Sequence, residues 1–219
     1  MRIFLIRHGE SIQNTNENTN NLPDHLVTLT KNGEKQAKEC GQFLKEYCKN
    51  NKIDLSKSTL FVSPYERTRQ TANIINQELN IKDVKEDVIL IERQYGLYDG
   101  ITFEERKKYK EPFDFNNWLY QNNGYFYSKF PLGESPFDVM IRARLFLQTL
   151  FRDVDKGVEN FFIISHGMFL KTLQMTYFHY SPEWFNNPEI MDNCAVKLIE
   201  KLGNESFDRN FIFKGPATK

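Results

Sequence analysis

Cysteine is scarce and scattered: Cys40, Cys48 and Cys194 are the only three in 219 residues. They form no CxxC pair and no metal-ligand spacing, which argues against a disulfide framework or a zinc cluster and points to reduced thiols in a cytoplasmic protein. Long apolar runs are missing as well. "IFLI" before Arg7 is far too short for a signal-peptide core, and no stretch approaches bilayer-spanning length, so neither secretion nor membrane insertion is expected. Nor is there a surplus of charge. Lys+Arg and Asp+Glu number 29 each, so nothing global favours a nucleic acid or an anionic membrane, and any anion binding must be local. The chain has no GxSxG elbow, P-loop lysine motif or HExxH pair, and no cofactor is expected. "DVDKG" (153–157) starts like a calcium loop but lacks the later ligands. It reads as a turn, and no metal is expected.

What is present is an ordinary globular composition, 40% apolar and 26% charged, long enough for one sizeable core and read as one domain over 1–219. Four short apolar runs stand out: "IFLI" (3–6), "TLFV" (59–62), "VILI" (88–91) and "FFII" (161–164). Runs of this kind suit strands buried on both faces, the habit of parallel sheets. "CAVKLIE" (194–200) alternates more, as a half-buried or edge strand does, and "FIF" (211–213) adds a further candidate. Helical patterns lie between them. One starts after Thr30, a second spans 65–79, a third opens with Ser135-Pro136 and runs to 154, and a fourth spans 168–178. The Asn-rich stretch 14–25 reads as an exposed loop. Strand alternating with helix predicts an α/β fold: a three-layer α/β/α sandwich around a mostly parallel sheet.

In such sheets ligand groups collect at the carboxyl ends of the strands. Read in order, those ends carry Arg7-His8-Gly9-Glu10, then Ser63-Pro64 with Arg67 one turn on, then Glu92-Arg93, then Ser165-His166-Gly167. Two histidines, three arginines and the Glu92 carboxylate thus converge on one rim. Those residue types suit phosphoryl transfer through a phosphohistidine. A neutral imidazole attacks phosphorus without first losing a proton, and nearby Arg7 and Arg67 disfavour the imidazolium form of His8. Guanidinium forks match phosphate oxygens and neutralise charge on the transferring group. His166 can donate a further hydrogen bond, and Glu92 can protonate the leaving alkoxide and then activate water.

"RHGES", "SPYERTRQTA", "IERQYG" and "ISHG", in this order, resemble the motifs of the histidine phosphatase superfamily, the phosphoglycerate-mutase-like fold. The resemblance implies His8 as the phosphorylated nucleophile and Glu92 as proton donor. It implies Arg7, Arg67 and His166 as the phosphate pocket, with Asn14 as an additional oxygen contact.

The superfamily holds both mutases and phosphatases. "IERQYG" looks like the mutase motif, yet the mutases carry a lysine where this chain has Phe103, paired arginines where 111–130 has none, and an asparagine where it has Met168. A bisphosphorylated carboxylate needs such cations to hold its second phosphate. A closer resemblance is to the fungal broad-range acid phosphatases, through "PDHLVTLTKNGEKQA", "GYFYSKFPLGESPFDVMIRARLFLQTLF" and "WFNNPEIMDNCAV". It implies hydrolysis of small phosphorylated metabolites without a metal. The alternatives are a cofactor-dependent phosphoglycerate mutase and, from a different class, a non-catalytic phospho-ligand binding module. Glu92 speaks against the latter, because binding phosphate needs no acid.

Other residues have weaker claims. Arg69 diverges from Arg67 on a helix and reads as a surface ion-pair residue. Arg93 and Tyr95 either touch substrate or support Glu92. His25 can reach the rim from the 14–25 loop, whereas His179 has no partner motif. Residues 103–137 hold eleven of the 31 aromatics. They are read as a helical insertion around 102–137 that can be a satellite core, an apolar wall selecting the alcohol, or both, with Tyr125, Phe126 and Tyr127 as candidate lining residues. No oligomeric state follows from the sequence.

Overall fold

The computed structural model describes residues 1–15, 22–99, 108, 110–187 and 189–216, with the backbone alone at 110–113. Part of the expected insertion (102–107 and 109) and part of the 14–25 stretch (16–21) lie outside these residues. Six strands form one sheet: β1 (Arg2–Arg7), β2 (Ser58–Val62), β3 (Asp83–Glu86), β4 (Asn160–Ser165), β5 (Val196–Leu202) and β6 (Glu205–Phe213), in the order β3-β2-β4-β1-β5-β6. The first four run parallel, and β5 and β6 are antiparallel additions at one side. Among the described residues, six helices accompany it: α1 (Lys31–Asn50), α2 (Glu66–Leu79), α3 (Lys110–Asn123), α4 (Pro136–Val154), α5 (Gly167–Phe178) and the short α6 (Pro182–Phe185). The expected α/β sandwich is what the chain forms.

Alternation along the strands sorts the core into two layers. Phe4, Ile6, Leu60, Val62, Phe162 and Ile164 point to the face covered by α1 and α2, against Ala37, Cys40, Leu44, Ala72 and Ile75. Their neighbours Ile3, Leu5, Phe61, Phe161 and Ile163 meet Val139, Ala143, Phe146 and Leu150 of α4 and Phe169, Leu170 and Leu173 of α5. A strand buried on both faces has no polar side to show, which is why β1, β2 and β4 read as continuous apolar runs. The helix starts follow local chemistry. Thr30 accepts a hydrogen bond from the amide of Gly33, and Ser135 and Asp138 form a capping box that brackets Pro136. The three cysteines are buried, free thiols within the protein. No helix among the described residues is long and apolar enough to cross a membrane.

One element departs from expectation. "VILI" (88–91) is no strand: Val88–Leu90 form a 3-10 turn, and the third strand is the polar "DVKE" before it. An edge strand needs little apolar surface, so β3 leaves only a faint trace in the sequence. The apolar run has another use. Leu90 is fully buried against α4 while its carbonyl accepts a hydrogen bond from Ser165 Oγ at 2.7 Å. The segment therefore folds over the end of β4 and delivers Glu92 to the rim.

Candidate active site

The register puts the chemistry at one level. Arg7 pairs with Ser165 and Val62 with Ile164, so His8, Ser63 and His166, each one residue further on, leave the sheet side by side. Because β5 runs antiparallel and Val196 pairs with Ile6, the residues before β5 reach the same rim.

His8 is buried, and its Nδ1 lies 2.7 Å from the carbonyl oxygen of Gly9. That acceptor holds the proton on Nδ1 and leaves the Nε2 lone pair uncommitted. Burial, then Arg67 and Arg7, push the His8 pKa well below the usual histidine value, and the Gly9 contact only partly opposes them. The backbone around His8 is clamped. Its amide donates to Ser165 O at 3.0 Å, and its carbonyl accepts from Asn193 Nδ2 at 3.0 Å.

His166 is fully buried, with its ring centroid 5.2 Å from that of His8. Its Nε2 is 2.9 Å from Ser63 Oγ, and Tyr65 sits edge-on at 5.0 Å. Burial foremost, then Arg67, His8 and Arg7, keeps this imidazole neutral too.

Arg67 is held from behind. Asp24 accepts from both its terminal nitrogens, at 3.0 and 3.2 Å, and the Asp24 carbonyl accepts a third hydrogen bond at 2.7 Å. Arg7 donates to Met191 O at 2.6 Å. Buried Nε of Arg7, Nε of Arg67 and Nδ1 of His166 have no partner among the described residues. A buried donor left unmade costs about 1–3 kcal/mol. Three such nitrogens on residues around one imidazole can cradle an oxyanion, His166 Nδ1 doing so in the tautomer that protonates it.

Glu92 faces the start of α5. Its Oε1 accepts from the amides of Arg93 (2.8 Å) and Phe169 (3.1 Å), and Oε2 from that of Met168 (3.2 Å). The carboxyl group thus sits at the N-terminus of α5 and accepts hydrogen bonds from its first backbone amides.

The other predicted residues separate. Asn14 sits in a 3-10 turn after Ser11, and its Oδ1 accepts from Ser11 N, Ser11 Oγ and Asn193 Nδ2 at 3.0, 3.0 and 3.4 Å. Only its amide NH₂ remains for a ligand. Arg93 is committed elsewhere. Its guanidinium donates to Glu134 O, Tyr125 OH, Ser128 O and Tyr120 OH at 2.7, 2.7, 3.2 and 3.4 Å. It ties the aromatic insertion down, so substrate contact by Arg93 does not fit this geometry. Tyr95 and Tyr125 pack over the same guanidinium, at 5.1 and 5.0 Å. Tyr125 also stacks on Phe185, and Phe126 is buried against Phe185 and Phe137. The satellite core of the expectation is therefore present, and Tyr127 is its exposed member. His25 is exposed, its ring 6.5 Å from that of Tyr65. His179 closes the far end of α5 in a left-handed conformation, away from the rim. Arg69 pairs with Glu86 at 2.6 and 2.7 Å, as a surface residue. In "DVDKG", Asp153 and Val154 end α4 and residues 155–157 form a turn, with Asp153 paired to Lys85 and Lys156.

Sequence reasoning missed Asp24, Asn193, Ser63 as a partner of His166, and Arg142. Asp24 and Asn193 lie within "PDHLVTLT" and "MDNCAV", stretches noted for resemblance but given no role.

Comparison with known proteins adds context. The description "Histidine phosphatase superfamily (branch 1)" matches residues 3–207. The phosphoglycerate mutase-like protein AT74 of Arabidopsis thaliana is 32% identical over 216 residues, covering 91% of this chain. The chain spans only 64% of that relative's length. The broad-range acid phosphatase DET1 of Saccharomyces cerevisiae is 25% identical, over 94% of this chain and 86% of its own. Among solved structures, the α-ribazole phosphatase of Shigella flexneri superposes with a TM-score of 0.76 at 21% identity over the full length of both chains.

Proposed function

The chain belongs to the histidine phosphatase superfamily, and from that membership we propose that it is a metal-independent phosphomonoester hydrolase working through a phosphohistidine on His8. The observation that carries the reading is the set of buried nitrogens on Arg7, Arg67 and His166 without a partner among the described residues, beside a neutral His8. Guanidinium and imidazole are donors suited to an oxyanion, not ligands suited to a hard metal ion.

In the first step Nε2 of His8 forms the N–P bond as the P–O bond to the alcohol breaks. Glu92 gives its proton to the departing alkoxide. Oε2, with its single long contact, is the oxygen placed to carry that proton. In the second step water attacks phosphorus, Glu92 takes a proton from it, the N–P bond breaks, and inorganic phosphate leaves. Arg7 and Arg67 neutralise the equatorial oxygens throughout. For Nδ1 of His166 to donate to the same oxygens, the Ser63 hydroxyl donates to Nε2.

Small phosphorylated metabolites in the cytoplasm are the proposed substrates. Arg93, the cation adjoining Glu92 in sequence, is spent on the insertion, which favours hydrolysis of monophosphates over handling of a bisphosphorylated carboxylate. A panel of phosphorylated metabolites, assayed for phosphate release with and without chelator, tests this. Hydrolysis unchanged by chelator is expected. Rapid 3-phosphoglycerate interconversion dependent on 2,3-bisphosphoglycerate would instead establish a mutase.

A further inference from the structure

Arg142, on the second turn of α4, makes an unusually complete set of contacts. Its Nη1 donates to the carbonyls of Ile89 and Ile91 at 2.6 and 2.8 Å, and its Nη2 to the carbonyl of Glu92 at 3.1 Å. Nε and Nη2 also grip Glu134, at 2.8 and 3.0 Å from Oε1 and Oε2. Its guanidinium lies 5.0 Å over the ring of Phe169, whose amide is one of the three that hold the Glu92 carboxylate. Glu134 in turn accepts from the amide of Gln94 at 3.0 Å, and its carbonyl accepts from Arg93 Nε at 2.7 Å.

The path of the segment from 89 to 92 is therefore shared between the burial and Ser165 contact of Leu90 and this one side chain. It is a turn followed by irregular backbone, outside the sheet ladder. Three of its carbonyls converge on a guanidinium that another element supplies. Polar backbone groups in such a segment need partners, and a planar fork satisfies several with little freedom left over. Glu92 is held at both ends as a result, its carbonyl by Arg142 and its carboxylate by the start of α5.

We propose that Arg142, braced by Glu134, is the positioning residue for the general acid Glu92. It touches no reacting atom. It sets where the proton donor stands relative to the leaving oxygen. The proposal rests on the reading of Glu92 as the acid.

The test separates acid placement from general stability through the leaving group. An alkyl phosphate expels a strongly basic alkoxide and needs the proton, whereas p-nitrophenyl phosphate expels a stabilised anion and needs it far less. kcat/KM would be measured for both substrates in wild type, Arg142→Lys, Arg142→Gln, Glu134→Gln and Glu92→Gln, with thermal unfolding of each. The expected result is that both Arg142 variants lose about tenfold or more activity on the alkyl ester beyond their loss on the aryl ester. Glu134→Gln should show the same preference in milder form, and its partly exposed side chain keeps that arm usable if the Arg142 variants unfold. Arg142→Lys should add nothing to the selectivity already present in a Glu92→Gln background. Equal losses on both esters in the Arg142 and Glu134 variants, alongside a selective loss in Glu92→Gln, would overturn the positioning role. A Glu92→Gln variant without selectivity would instead overturn the acid assignment beneath it.

Discussion

Nδ1 of His8 and the carbonyl oxygen of Gly9 stand 2.7 Å apart, and this contact decides which ring nitrogen can react. With its proton facing Gly9, the imidazole presents Nε2 as its only lone pair. Burial and the two arginines keep the ring neutral, so the proposed nucleophile is already in its reactive form.

The same pKa shift makes stability depend on pH. His8 and His166 both titrate well below the unfolded value, so below about pH 6.5 the unfolded chain binds protons that the folded chain refuses. Stability is therefore full above that pH and falls as pH drops through it. Urea midpoints should decline from pH 7.5 to pH 5.5, with a shallower slope in His8→Asn. Turnover should persist across the same range, because His8 stays neutral.

Asp24 orients Arg67 through both carboxylate oxygens. Asp24→Asn keeps the shape but weakens a charge-assisted fork of about 1.5–3 kcal/mol. Steady-state kinetics should show kcat/KM down about tenfold or more, with the unfolding temperature lowered by about 2–4 °C for each kcal/mol of the fork that is lost.

Gly9 and Gly33 mark a contact of backbone on backbone. A Cβ on Gly9 would lie 2.5 Å from the Gly33 carbonyl oxygen, and one on Gly33 would lie 2.0 Å from that of Glu10. Gly33→Ala should cost about 1–3 kcal/mol by chemical denaturation, as overpacking does, and should lower activity by shifting the residues next to His8.

Arg93 is a structural tie in this account. Arg93→Ala strands the Tyr125 hydroxyl and the carbonyls of Ser128 and Glu134, and should cost about 2–4 kcal/mol. The stability loss, read by denaturation, should exceed any change in the KM for small phosphate esters.

How much of this was legible in the sequence follows from chain direction. Parallel strands release their next residues at the same rim, so His8, Ser63 and His166 could be placed from apolar runs alone. Glu92 could be named by its motif, but its element could not. An apolar run that wraps over a strand end and one that forms a strand look alike. Asn193 arrives from the start of an antiparallel strand, and Asp24 reaches Arg67 across 43 positions. Arg142 acts through the backbone of a distant segment. Pairings of that kind depend on register and helix rotation, which spacing does not encode.

The most direct test of the phosphohistidine is to quench the enzyme in denaturant during turnover of a ³²P-labelled phosphate ester and map the label. The account predicts an acid-labile, base-stable phosphoryl group on Nε2 of His8, absent from a folded His8→Ala variant that has lost turnover. Wild-type turnover in His8→Ala, or a label on any other residue, would contradict it.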